Sequence, residues 1–105
     1  MKKILFALLF PTIAFAQNSY TVSGNIKGLK DSTLVFINRG IDGKTIAQTY
    51  ARKGNFTLTG KLDGADFYQL GFIGYKETVE LFMHNENITI SGESFNIKKA
   101  TATGS

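Results

Sequence analysis

Cysteine and tryptophan are absent from this chain, and histidine and proline occur once each. Without cysteine there is no disulfide, no Cys-x-x-Cys redox centre and no thiolate metal site. A histidine-based triad or zinc site would have to rest on His84 alone. No segment beyond residue 16 repeats apolar residues at i, i+3, i+4 and i+7 over a useful length, which argues against an amphipathic helix. A strong charge bias is missing as well: the formal net charge is +4, and two of the twelve basic residues are Lys2 and Lys3. Without those two, ten basic residues face eight acidic ones. Lys27, Lys30, Arg39, Arg52, Lys53, Lys61 and Lys98 are scattered, mostly near turns. A nucleic-acid interface needs a concentrated basic footprint, so no nucleic-acid partner is expected. These charges read as solubility and protection of strand edges.

What is present begins with an address. Lys2 and Lys3 form a positive n-region, Ile4 to Phe10 an apolar run, and Ala14-Phe15-Ala16 a small-residue cleavage site. The apolar stretch is shorter than the ~20 residues that span a bilayer. The expectation is a cleavable signal peptide over 1–16, cut after Ala16, and a periplasmic or extracellular protein that does not span the membrane after cleavage. No lipid-accepting cysteine stands at the cut.

The remainder reads as strands and turns. The 105 residues, 43% of them hydrophobic, suffice for one globular domain. Tyr20, Val22 and Ile26 alternate with Thr21, Ser23 and Asn25, the period of a half-buried strand. Leu34 to Ile37 is a continuous apolar run suited to a strand covered on both faces. Thr45–Ala51 is a weaker strand. Arg52-Lys53-Gly54-Asn55 is read as a tight hairpin turn, with Gly54 at positive φ. Phe56, Leu58 and Leu62 alternate with Thr57, Thr59 and Lys61. Further strands are expected over 67–72, with Val79, Leu81 and Met83 on one face of another, and at Ile88 to Glu93. Phe95–Ile97 is a candidate eighth. Gly24, Gly60 and Gly92 are read as bulges or bends. The predicted fold is all-β: an antiparallel β-sandwich or partly open barrel of seven to eight short strands. The domain is placed at 17–97 and a linker-like tail at 98–105.

Three stretches carry a resemblance: YTVSGNIKGLKDSTLVFIN at 20–38, KGNFTLTGKL at 53–62 and ELFMHNENITISG at 80–92. Their order and spacing resemble the small all-β domain of unknown function at the N-terminus of bacterial envelope thioredoxin-like and peroxiredoxin-like proteins. The resemblance implies a redox cysteine in a domain following Ser105 and no catalytic residue in this part. It also implies an accessory role in positioning, dimerisation or substrate capture, with a protein partner or a downstream thioredoxin-like domain.

The residues themselves offer little chemistry. His84 and Glu86 lie two positions apart and make a poor metal site. Asp63 and Asp66 flank a turn and fit neither a calcium loop nor a positioned carboxylate pair. No cofactor, metal or catalytic set is expected, and an enzyme is disfavoured. Tyr50, Phe67, Tyr68, Phe72 and Tyr75 form a candidate stacking platform, although most fall where a sandwich core needs bulk. Tyr75 and Tyr68 are taken as ligand contacts for an alternative reading, a small extracytoplasmic glycan- or peptide-binding module. Asp31-Ser32-Thr33 resembles the Asp-Ser/Thr-small/apolar O-glycosylation motif of some Gram-negative envelope proteins, which makes Ser32 a candidate modification site.

Overall fold

The computed structural model describes residues 18–104. The expected signal peptide at 1–16 lies outside them. Eight strands follow in order: β1 (Tyr20–Lys27), β2 (Leu34–Arg39), β3 (Thr45–Tyr50), β4 (Asn55–Gly60), β5 (Asp66–Phe72), β6 (Val79–Met83), β7 (Asn87–Glu93) and β8 (Thr101–Gly104). They form two four-stranded sheets, β4-β1-β7-β8 and β3-β2-β5-β6. The strands of one sheet do not pair with those of the other, so the architecture is a sandwich and not a closed barrel. Pairing is antiparallel except between β1 and β7. These two strands are far apart in sequence, so no hairpin constrains their direction.

Alternation builds the core. Tyr20, Val22 and Ile26 of β1, Phe56 and Leu58 of β4, and Ile88 and Ile90 of β7 face Val35 and Ile37 of β2. Tyr68, Leu70 and Phe72 of β5 and Val79, Leu81 and Met83 of β6 complete the inner layer. β2 is covered on one face only: Val35 and Ile37 are buried, while Leu34 and Phe36 point outward and are half-buried.

The turn at Arg52–Asn55 keeps its predicted local geometry and changes its role. Lys53 and Gly54 both have positive φ, 52° and 82°, as a type I′ turn requires. Arg52 and Asn55 exchange backbone hydrogen bonds of 2.8 and 2.9 Å. Beyond that single bridge the flanking strands part, β3 to β2 and β4 to β1. The turn is a corner between sheets, not a hairpin.

The strand glycines also differ from expectation. Register runs unbroken past Gly24 and Gly92 and as far as Gly60, where β4 ends, and the one register shift in the pairings of β2 lies between Ile37 and Asn38. What Gly24 and Gly60 provide is room. The Phe56 ring lies where a Gly24 Cβ would stand, with Cζ 2.3 Å from that position, and the Tyr20 ring lies over Gly60. Phe36 covers Gly71 in the same way on the second sheet. Each ring sits on the residue directly opposite in the ladder, so missing side-chain volume is refilled across the strands.

The C-terminal segment departs furthest from the sequence reading. Phe95–Ile97 lies in a 3-10 helix, Ser94–Lys99, that buries Ile97 and is no strand. Within 98–105, expected as a linker-like tail, the described residues instead carry the end of that helix and β8, which pairs with β7 from Ser91↔Thr101 to Ile88↔Gly104.

Candidate functional site

The two sheets present very different outer faces. On the first sheet the outward positions are Thr21, Ser23, Asn25 and Lys27 of β1, Asn55, Thr57 and Thr59 of β4, Asn87, Thr89, Ser91 and Glu93 of β7, and Thr101 and Thr103 of β8. Asn25 there donates from Nδ2 to Asn55 Oδ1 at 2.8 Å. Polar, mostly hydroxylated and β-prone, this face is satisfied by water.

On the second sheet, apolar side chains hold two outward patches. Leu34 and Tyr50 stand opposite each other on β2 and β3, beside Ile73, whose N–H bonds Leu34 O at 3.0 Å. Phe36 lies next along β2. At the other end Phe67 and Phe82 pair across β5 and β6, 64% and 60% exposed, with ring centroids 4.7 Å apart. Between the patches runs a polar row, Asn38, Gln69 and Glu80, in which Gln69 Nε2 donates to Glu80 Oε2 at 3.2 Å.

A cleft of about 370 Å³ opens at the end of the sandwich where β2 and β4 finish and β5 begins. Arg39, Ile46, Lys61, Leu62, Asp63, Asp66 and Tyr68 line it, with Gly64 and Ala65. The ladder sets Arg39 opposite Tyr68, and Arg39 Nε also lies 3.7 Å from Asp42 Oδ1. The β4–β5 loop is anchored by Asn85: its Oδ1 accepts from Leu62 N–H at 2.8 Å, and its Nδ2 donates to Leu62 O at 2.9 Å. Tyr68 is 5% exposed. Burial raises its pKa above the ordinary phenol value; Asp66 adds to the rise, Arg39 opposes it and Asp63 adds a little more. Tyr20 is raised by burial and then by the neighbouring Tyr68. Both phenols are therefore neutral at physiological pH.

The structure separates the ligand-contact residues expected from sequence. Tyr68 lines this cleft, but its ring is buried and offers no stacking surface. Tyr75 lies beyond the other end of β5, half-buried against the core, with its hydroxyl accepting from Lys30 N–H at 3.4 Å. Of the other proposed platform members, Phe72 is core, while Tyr50 and Phe67 are exposed on the outer sheet face. His84 is 60% exposed in its side chain, with Nε2 3.5 Å from Glu86 Oε2. Among the described residues no cluster of three or more His, Asp or Glu side chains is placed to hold a metal. Ser32 is exposed in the β1–β2 turn with φ 65°. The turn is fixed by Ser32 N–H to Ala51 O at 2.8 Å and by Lys53 N–H to Asp31 Oδ1 at 2.9 Å.

Sequence reasoning missed Arg39, Lys61, Asp63 and Asp66 as a group. Each reads singly as a turn charge, and nothing local says that two loops meet at one end of the sandwich. Phe82 carried a usable signal: with Val79, Leu81 and Met83 inward, parity places it outward.

Comparison with curated proteins gives no match. The profile of a family described as a domain of unknown function, DUF4369, matches residues 20–105 and so takes in every strand from β1 to β8. The chain belongs to that family of domains of unknown function.

Proposed function

We propose that this chain is an exported, non-catalytic accessory domain that holds a partner protein against the outer face of its β3-β2-β5-β6 sheet. The observation that carries the reading is the asymmetry of the two faces. One is polar and mostly hydroxylated, and the other leaves a tilted Phe67–Phe82 pair in solvent together with Tyr50 and Ile73 beside half-buried Leu34. Apolar patches around a polar row are the usual chemistry of a protein contact, with aromatic residues as anchors. The n-region, apolar run and Ala-x-Ala of residues 1–16 support export. The resemblance to the N-terminal module of envelope thioredoxin-like proteins supports a thioredoxin-like domain as the partner, on the same chain or another. The absence of cysteine means that any thiol chemistry belongs to that partner.

The test is titration of the chain from Gln17 to Ser105, labelled for NMR, with an exported thioredoxin-like domain of the same cell. Saturable shifts should gather at Phe67, Gln69 and Phe82 and leave Ser23, Thr57 and Thr89 unmoved. The double variant Phe67→Ser/Phe82→Ser should weaken binding at least about tenfold, the loss of one interface anchor, with an unchanged circular dichroism spectrum. Shifts confined to the hydroxylated face, or equal binding by the double variant, would overturn the assignment.

A further inference from the structure

We propose that the cleft at the β4–β5 end of the sandwich is a binding site for a neutral, hydroxyl-rich ligand, a saccharide unit. The inference is independent of the sheet-face contact and uses none of its residues.

Tyr68 is the first reason. Its side chain is almost fully buried, and its hydroxyl has no hydrogen-bond partner among the described residues. No buried side-chain polar atom among them is left without a partner. The Tyr68 hydroxyl is therefore open to solvent, and on a side chain that lines the cleft it offers a ligand one donor and one acceptor. Water meets that hydroxyl while the cleft is empty, and a ligand hydroxyl can take the water's place with the hydrogen bonds kept.

Charge is the second reason. Arg39 and Lys61 are matched by Asp63 and Asp66 in the lining, so the four formal charges sum to zero. An anion or a cation meets repulsion there as well as attraction. A neutral ligand rich in hydroxyls uses all four groups, because each hydroxyl both donates and accepts. The carboxylates accept from ligand hydroxyls, and the guanidinium and ammonium donate to ring and hydroxyl oxygens. These are charge-assisted hydrogen bonds without net charge transfer.

Shape and rigidity complete the case. Ile46 and Leu62 supply apolar wall for the C–H faces of a sugar ring. The volume of about 370 Å³ lies within the ~300–1,000 Å³ of small-molecule sites. The two Asn85 bonds hold the Leu62 loop in place before any ligand arrives, which limits the ordering cost of binding.

The test titrates the chain from Gln17 to Ser105 with neutral saccharides (glucose, N-acetylglucosamine, xylose, maltose and cellobiose), observed by NMR. Parallel arms use alanine and Ala-Ala as zwitterions and inorganic phosphate as an anion. At least one saccharide should give saturable shifts at Leu62, Asp66 and Tyr68. Its affinity should change little with added salt and should fall about three- to tenfold in Tyr68→Phe, which removes only a hydroxyl. Asp63→Asn should weaken the same ligand. Phe67→Ser/Phe82→Ser should leave it unchanged, so that failure here and failure of the sheet-face contact are told apart. Absence of saturable binding by every saccharide, saturation by a zwitterion or phosphate alone, or full affinity in Tyr68→Phe would each overturn the proposal.

Discussion

Gly24→Ala tests directly whether this sandwich is built on rings laid over glycines. The φ of Gly24 is not positive, so alanine meets no backbone penalty. Its Cβ would stand 2.3 Å from Phe56 Cζ and within 3 Å of both Cε atoms, where carbon contacts prefer ~3.5–4.0 Å. The Phe56 ring must move by more than ~1 Å to restore that spacing. It is poorly free to do so, being 5% exposed and packed edge-on against Phe72 of the opposite sheet at 5.8 Å. Overpacking of a closed core costs about 1–3 kcal/mol. Against this, replacing glycine stiffens the unfolded chain and returns about 0.4–1 kcal/mol. The net expectation is a loss of about 1–2 kcal/mol, with Tm lower by roughly 4–16 °C for a domain of this size.

Urea unfolding of Gly24→Ala, Phe56→Leu and the double variant is the assay, read at constant m. In the Phe56→Leu background the obstruction is smaller, so Gly24→Ala should cost less there, by about 1 kcal/mol of coupling. Gly64→Ala is the control: nothing lies within 4 Å of its Cβ position, and it should be neutral or stabilising by up to about 1 kcal/mol. Two results would refute the reasoning: Gly24→Ala as stable as the parent chain, or Gly24→Ala equally costly in the Phe56→Leu background.

Gly71→Ala meets Phe36 at 2.5 Å, but Phe36 lies on an open face and can swing into water, so its cost in the same urea assay should be below that of Gly24→Ala. Stability should fall as pH rises past about 10, where unfolded phenols ionise. Burial holds Tyr20 and Tyr68 neutral above that value, so their contribution is whole below it and is lost towards their folded pKa values. Tyr20→Phe and Tyr68→Phe should each flatten a urea-midpoint profile across about pH 8–11. Truncation after Ala100 removes the β8 pairs with β7 and should cost about 1–3 kcal/mol at roughly 1 kcal/mol per net hydrogen bond; a true linker would be removed without effect on the midpoint. Intact mass of the protein from its source cells should show hexose-sized additions that disappear in Ser32→Ala, and an unmodified parent mass would dismiss that site.

Much of the fold was legible because strand parity is a local property. Tyr20, Val22 and Ile26 announce their burial by alternation, as do Phe56 with Leu58 and Val79 with Leu81 and Met83, and each is buried. Turn chemistry was equally local, and Gly54 took the predicted positive φ. Which strands such a turn joins is not local, so a type I′ turn that reads as a hairpin became a corner. The strand glycines were misread for a related reason. A glycine in a strand looks the same whether the backbone bulges or a ring from the facing strand fills its place. Only the register, which sets Gly24 opposite Phe56 and Gly71 opposite Phe36, tells the two apart. The C-terminal Thr-Ala-Thr-Gly was missed because its strand is exposed throughout and so carries no apolar alternation.

The same distinction explains why both candidate surfaces were illegible. An outer sheet face is assembled from one side of four strands, and its character depends on neighbours that sequence does not name. Phe67 and Phe82 come into ring contact only because β5 and β6 pair in a register that sets them opposite. Arg39, Lys61, Asp63 and Asp66 become a neutral, polar cleft only because the ends of β2 and β4 arrive beside the start of β5. For each residue taken alone, solubility was the simpler account, and it remains adequate for Arg52 and Lys53, which lie in the corner turn. Tyr68 is a different case: its ring is buried in the core and its side chain also lines the cleft, so it joins the interior to the four charges. A lone charge at a turn offers a ligand one contact, whereas this cleft gathers charges of both signs, a phenol hydroxyl and the apolar walls of Ile46 and Leu62 in one concavity, and that difference ranks it above the other polar ends of the sandwich.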